Sequence, residues 1–325
     1  MTDYSGRLIE YGLAHEATRG TYLTPTYWMR WETADFYNKA TTQFNQSAIG
    51  VLDRYSGAEI MENSSTGQIS GKITDRAIGN ILYGVFGTYA VALHSTETII
   101  YDHTFTEAQS NTGASLSVTR VSPNARLHFT NAMVGSFEVT AKAGDFVRHA
   151  TNFTAFYGVT GTGTAPAFIA ENEFKGKHVT TKIAANVAGL AAALAIPTAS
   201  LKLTINKNLM PYYIIGQDGP SDIFAQSIEV NGEFVLRFTD STYEALRFAN
   251  TKQALSLAIV NTDVLLGTAA APSLIFTLPA VYLNDFKPEQ GIDNIVTQTV
   301  SFTGTYDLTT SKTISAVLTN AVTTY

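Results

Sequence analysis

The chain has 325 residues, 21 Lys plus Arg, 27 Asp plus Glu, a formal charge of −6 and no cysteine. That excludes a disulfide framework, thiolate metal sites and cysteine nucleophiles, and the acidic balance argues against a protein that grips nucleic-acid phosphates. Apolar residues at 45% with charged residues at only 15% argue against a disordered chain, and the length is enough for two domains.

The N-terminal stretch Met1 to Gly12 is polar and lacks an apolar core segment, so no secretory signal is expected. Residues 32–66 are polar and without clear periodicity, which predicts a long loop; loops of this length usually carry function, and this one is expected to order on assembly. A strand follows over Gly67 to Asp75. Ile78, Ile81, Leu82, Val85 and Phe86 then form one apolar stripe at helical spacing. Thr74 or Asp75 is the expected N-cap, and Gly87 the left-handed residue that ends the helix.

Ser136 to Ala141 alternates, with Phe137 and Val139 on one side, before a turn at Gly144. The run Ile183 to Ile196 is alanine-rich and ends at Pro197. It is too short to span a bilayer and reads as an inter-domain helix or linker. Further alternating strands are expected at Leu201–Ile205, Ile228–Val230 and Leu255–Ile259. In the last, Val296, Gln298, Val300, Phe302 and Tyr306 share one face and threonines and Ser301 the other.

Two blocks recur. Gly67 to Asp75 lies on Gly232 to Asp240 with one offset, 232 − 67 = 240 − 75 = 165, and Gly67/Gly232, Thr74/Thr239 and Asp75/Asp240 are identical. Phe129 to Gly144 lies on Phe276 to Gly291 with an offset of 276 − 129 = 147. In the second copy the helix stripe degrades, since Arg247 and Asn250 replace Leu82 and Val85, so that helix should be shorter. The fold class read from this is mainly β: two tandem sandwich-like or barrel-like units, each with one short helix and long loops. The first unit is placed at 1–170, the alanine-rich linker at 171–200 and the second unit at 201–325.

No catalytic, metal or cofactor site is expected. The six histidines make no His-x-x-x-His or Glu-x-x-His pair, and Asp102-His103 has no third ligand beside it. Gly67-x-x-x-Gly71-Lys72-Ile73 has too few residues for a phosphate loop and lacks its Ser/Thr. Gly158 to Gly163 lacks dinucleotide spacing. The singled-out positions, Gly67, Thr74, Asp75, Gly144, Gly232, Thr239, Asp240 and Gly291, are therefore structural repeat signatures, and the chain reads as a non-enzyme.

Several ordered motifs carry a resemblance: Glu16 followed by Gly20-Thr21 and Pro25-Thr26; Thr66 to Ile69 before the helix to Gly87; Asp102 to Phe105; Ala114 to Thr119; Val134 to Val139 with Gly144-Asp145; and Leu278 to Val281 with Val300 to Asp307. In this order they resemble the larger major tail tube proteins of long-tailed bacteriophages. The resemblance implies a virion protein, assembled in the host cytoplasm, whose rings stack into a hollow tube through which DNA is ejected. It implies as partners further copies of itself, the tape-measure and terminator proteins, and DNA that passes the lumen unbound; no cofactor and no membrane are implied. An acidic lumen would keep DNA from sticking. With two units per chain, a homotrimeric ring with pseudo-six-fold symmetry is preferred to a homohexamer. The alternative reading is a β-sandwich adhesin or carbohydrate-binding module, with Tyr22, Tyr27, Trp28 and Trp31 clustered at loop tips.

Overall fold

A computed structural model describes residues 3–289, 292 and 295–325; Gly291 lies outside them. The first half runs β1 (Glu10–His15), β2 (Tyr27–Met29), β3 (Thr33–Ala34), β4 (Tyr37–Asn45), β5 (Gly57–Lys72), α1 (Ile78–Phe86), β6 (Gly87–Leu93), β7 (Tyr101–Glu107), β8 (Leu116–Ser122), β9 (Ala125–Lys142), β10 (Arg148–Ala155) and β11 (Val159–Thr160). The second half runs β12 (Val179–Ala184), β13 (Ala195–Ile196), β14 (Thr198–Asn206), β15 (Leu209–Tyr212), β16 (Asp222–Ala225), β17 (Glu229–Arg237), α2 (Thr242–Phe248), β18 (Gln253–Val260), β19 (Ser273–Glu289), β20 (Thr297–Gly304) and β21 (Ser315–Asn320).

The pairings of the first half recur in the second, all antiparallel. β1 pairs with β2 and β8 as β12 pairs with β13 and β18. β8–β9–β10–β5 matches β18–β19–β20–β17. β3 and β4 lie along β5 as β14 lies along β17. β11 closes on β9 where β21 closes on β19. Each half adds one hairpin of its own: β6–β7, which joins β21, and β15–β16. The mainly β, two-unit fold expected from the sequence is what the chain adopts.

The long strands β9 and β19 each belong to two sheets. The first part of β9 pairs with β8 and β11, and the second part with β10 and β14. The result is one eight-stranded run, β3/β4–β5–β10–β9–β14–β17–β20–β19, that crosses from one half to the other at β9–β14. Alternation assigns its faces. Ile69, Phe137, Val139 and Phe153 from the first half, and Leu203, Phe234, Val300 and Phe302 from the second, are at most 2% exposed. Each such side chain contributes about 1.5–3 kcal/mol by leaving water. Hydroxyls and charges take the other face.

α1 buries its predicted stripe, and Gly87 ends it at φ 84°. The expected cap does not form. Thr74 and Asp75 stand too far before the first turn, and the Ala77 N–H donates instead to Glu171 Oε1 at 2.8 Å. Asp75 accepts from Asn172 through both oxygens. α2 is shorter than α1 and buries none of its residues.

Residues 32–66 are not an irregular loop. β4 and the outer part of β5 make a ribbon exposed on both faces, which hides the alternation that a half-buried strand would show. The alanine-rich run is not a helix. Its start completes β12, a 3-10 turn follows at Val187–Leu190, and β13 returns along β12. Lys182 Nζ donates to the carbonyls of Leu190 and Ala191, which holds the turn.

Candidate assembly surface

The eight-stranded run has two open ends. At one, β3 and β4 pair with β5 alone. At the other, among the described residues, the second part of β19 pairs with β20 alone, while Arg247 Nε donates to its Asn284 carbonyl at 2.7 Å and its Phe286 N–H donates to Asp285 Oδ1 at 2.8 Å. An unpaired edge presents a row of N–H and C=O groups that can take another strand. Within the chain such a meeting is already made: Ser136–Lys142 of β9 pairs with Ser200–Asn206 of β14, supported by Lys202 Nζ 2.9 Å from Glu138 Oε2.

From the same end of the strands rise two arms. The β4–β5 ribbon carries Phe44 against Tyr55 with ring centroids 5.2 Å apart, and Ile49, Val51 and Leu52 stand exposed at its tip. The β15–β16 hairpin carries exposed Tyr212, Ile214 and Ile215. The connecting loop of the β15–β16 hairpin reaches the inner part of the ribbon, where the Asn63 N–H donates to the Asp218 carbonyl at 2.7 Å. Exposed apolar side chains gathered on projecting elements mark a surface made for contact.

Beneath the arms a buried polar cluster ties the halves together. Glu16 accepts from the N–H of Gly20 at 2.8 Å, the hydroxyls of Ser115 and Ser117 and the N–H of Asn131. Four donors make its burial tolerable, and they account for the Glu16–Gly20 spacing seen in the sequence. Arg19 bridges Gly113 O at 2.9 Å, Ile223 O at 2.8 Å and Asp222 at 2.5 Å. Burial raises the Asp222 carboxyl, but its bonds from Arg19 and Asn131 outweigh that and leave it below its usual range. Lys207 donates to Gly84 O at 3.0 Å near the end of α1, and burial, with Arg19 nearby, pushes its ammonium down to about 8. No charge–periodicity rule points to this cluster, because its members are joined only by the fold.

The repeat-signature residues divide by role. A Cβ on Gly67, at φ 147°, would meet Asp35 O at 2.5 Å; one on Gly232 would meet Lys202 O at 2.6 Å. Both glycines thus let the neighbouring strand of the run approach. Gly144, at φ 81°, makes the β9–β10 turn. Thr74 and Asp75 are buried while Thr239 and Asp240 are exposed; Asp240 accepts from the Thr242 N–H at the start of α2. The identical pairs therefore no longer do identical work.

The aromatic residues near the N-terminus form no common patch. Tyr22 stacks on His128 at 3.9 Å, Tyr27 meets Tyr325, Trp28 is buried, and Trp31 donates to Ile9 O at 2.8 Å. Asp102 and His103 diverge: Asp102 meets His94 and Thr319, and His103 lies between Tyr89 and Asn320. Among the described residues, no group of three or more His, Asp or Glu side chains is placed to hold a metal ion. Among them, too, no helix is long and apolar enough to cross a membrane.

No curated protein matches the chain. A family model described as phage tail tube protein matches residues 6–304, which takes in both open edges, both arms and the joint between the halves. The chain belongs to the phage tail tube protein family, as a structural component of the virion tail.

Proposed function

We infer that the chain builds a ring by repeating between subunits the joint it already makes within itself. The observation that carries this is the β9–β14 pairing. β19 is the counterpart of β9, and its second part is open; β3 and β4 are the counterparts of β14, and their outer edge is open. A head-to-tail contact between unlike edges closes into a ring when the rotation is right. With two units per chain, three chains supply six equivalent positions, so a homotrimer is favoured over a homohexamer.

The boundaries that fit this reading differ from those drawn on composition. The second unit starts at β12, since Val179–Ala184 pairs along β18 as β1 pairs along β8. Residues 161–178 are then the connection, and the alanine-rich run belongs to the second unit.

Rings stack through the two arms, whose apolar tips gain cover from the next ring, and the stack is the conduit for DNA ejection. The polar face of the eight-stranded run lines the lumen. On that face and its rim several acids and bases are paired: Lys202 with Glu138 at 2.9 Å, Arg148 with Asp145 at 2.6 Å and Glu32 at 2.7 Å, and Lys72 with Glu173 at 3.2 Å. Paired cations have fewer free charges to offer a passing phosphate backbone. Tape-measure and terminator proteins are the partners expected at the lumen and the end of the stack. Mass measurement on rings of purified protein tests the reading: three chains per ring support it, and six chains overturn the trimer.

A further inference from the structure

Lys207, at one side of the buried polar cluster, also lines a cavity of about 450 Å³. That volume falls in the range of small-molecule sites, roughly 300–1,000 Å³. The walls come from both halves of the chain. The first half supplies the ends of α1 and β7 and the β7–β8 connection; the second supplies the β16–β17 connection and the β20–β21 loop. The Ala225 N–H ties the two together by donating to Asn111 O at 2.9 Å. Phe86, Ile228 and Tyr306 contribute apolar wall.

Two charged side chains in this wall lack a counter-charge. Lys207 is 4% exposed, and its ammonium donates to Gly84 O at 3.0 Å. An ammonium has three donors, so two are left over. Arg19, whose own acid is Asp222, adds a like charge nearby. Glu107 accepts the Thr313 N–H on Oε2 at 3.1 Å, while its Oε1 is buried with no partner. Among the described residues, neither Lys207 nor Glu107 forms an ion pair, with the other or with any third group. Burial moves the two in opposite directions, pushing the Lys207 ammonium down to about 8 and the Glu107 carboxyl up. A buried charge is costly until an opposite one meets it. The way to the ammonium is open: Gly113 is part of the wall, and a Cβ there would stand 3.2 Å from Lys207 Nζ.

We propose that this cavity binds a small zwitterion, of the amino-acid class, whose carboxylate pairs with Lys207 and whose ammonium pairs with Glu107. A simple anion would satisfy Lys207 and be repelled by Glu107, and a simple cation would meet the reverse. A ligand that carries both charges answers both groups at once, through charge-assisted hydrogen bonds that are stronger than neutral ones. Because the walls belong to both halves, the ligand also pins one half against the other, and it stabilises the folded chain by mass action. The site lies within one subunit and does not depend on how subunits meet.

The full-length subunit provides the test, with straight-chain amino acids as probes: glycine, β-alanine, γ-aminobutyrate and ε-aminocaproate. Calorimetric titration is expected to show one preferred length, because the fixed separation of Lys207 and Glu107 selects the span of the ligand. The N-acetyl and carboxamide forms of the preferred probe are each expected to bind roughly tenfold or more weakly. Glu107→Gln removes the acid and keeps an acceptor for the Thr313 N–H; Gly113→Val closes the approach to the ammonium. Each is expected to lower affinity by a similar factor and to leave the thermal transition of the free subunit within a few degrees. The blocked probes report on the same two contacts in the unmodified chain, so a variant that fails to fold leaves the test intact. Binding by none of the four probes with a Kd below about 10 mM overturns the proposal. So do blocked probes that bind as well as free ones, and so does unchanged affinity in a folded Glu107→Gln.

Discussion

Gly67 and Gly232 lie where neighbouring strands of the same run come closest, and neither has room for a methyl group. Replacing either by alanine is expected to cost roughly 2–3 kcal/mol, since backbone and a packed Phe302 must shift; denaturant unfolding of the free subunit measures it. His149 gives a different signal. It is buried beside Phe137, bonds Thr151 Oγ1 at 3.0 Å, and burial holds its imidazole down at about 4. The folded chain keeps it neutral while the unfolded chain takes up a proton near 6.5. Its stabilising contribution is therefore full above about pH 6.5 and falls as the pH drops toward 4, by about 3 kcal/mol. His149→Leu is expected to flatten that part of the profile, read as unfolding free energies at pH 7 and pH 4.5. The glycines were legible because the repeat aligned them. His149 and the Glu16 cluster were not, since a side chain's burial and its distant partners, such as Asn131 for Glu16, arise only when the strands assemble.

At the scale of elements, the legible ones were those with a single buried face. α1 shows its stripe, and Leu201–Ile205, Leu255–Ile259 and Thr297–Gly304 alternate as half-buried strands do. The β4–β5 ribbon was missed because it has no buried face in the subunit. The alanine-rich run misled because alanine favours helix, while pairing with β18 and the Lys182 contacts decide otherwise. The exposed ribbon leads to a prediction of its own. Ile49→Asp with Leu52→Asp is expected to leave rings intact and prevent stacking, because apolar tips that must be covered become charged. Electron microscopy distinguishes single rings from tubes. Tubes of normal length from this variant would remove the ribbon tip from the stacking contact.

Over the whole molecule, the order of strands, helix and strands was readable twice along the chain, and the pairings repeat it. The way the copies are joined was not readable, because the β9–β14 register depends on which strand edges lie open after each half has folded. Both long strands also carry a bulge at the same step, between Asn152 and Phe153 on the partner of β9 and between Leu283 and Asp285 on β19. A bulge bends the strand that bears it. Under the ring reading proposed above, matched bends at matched steps would give each half-chain the same increment of arc, so the bore would be encoded twice in every chain, and deleting Asn284 is expected to give open spirals in place of closed rings in electron micrographs.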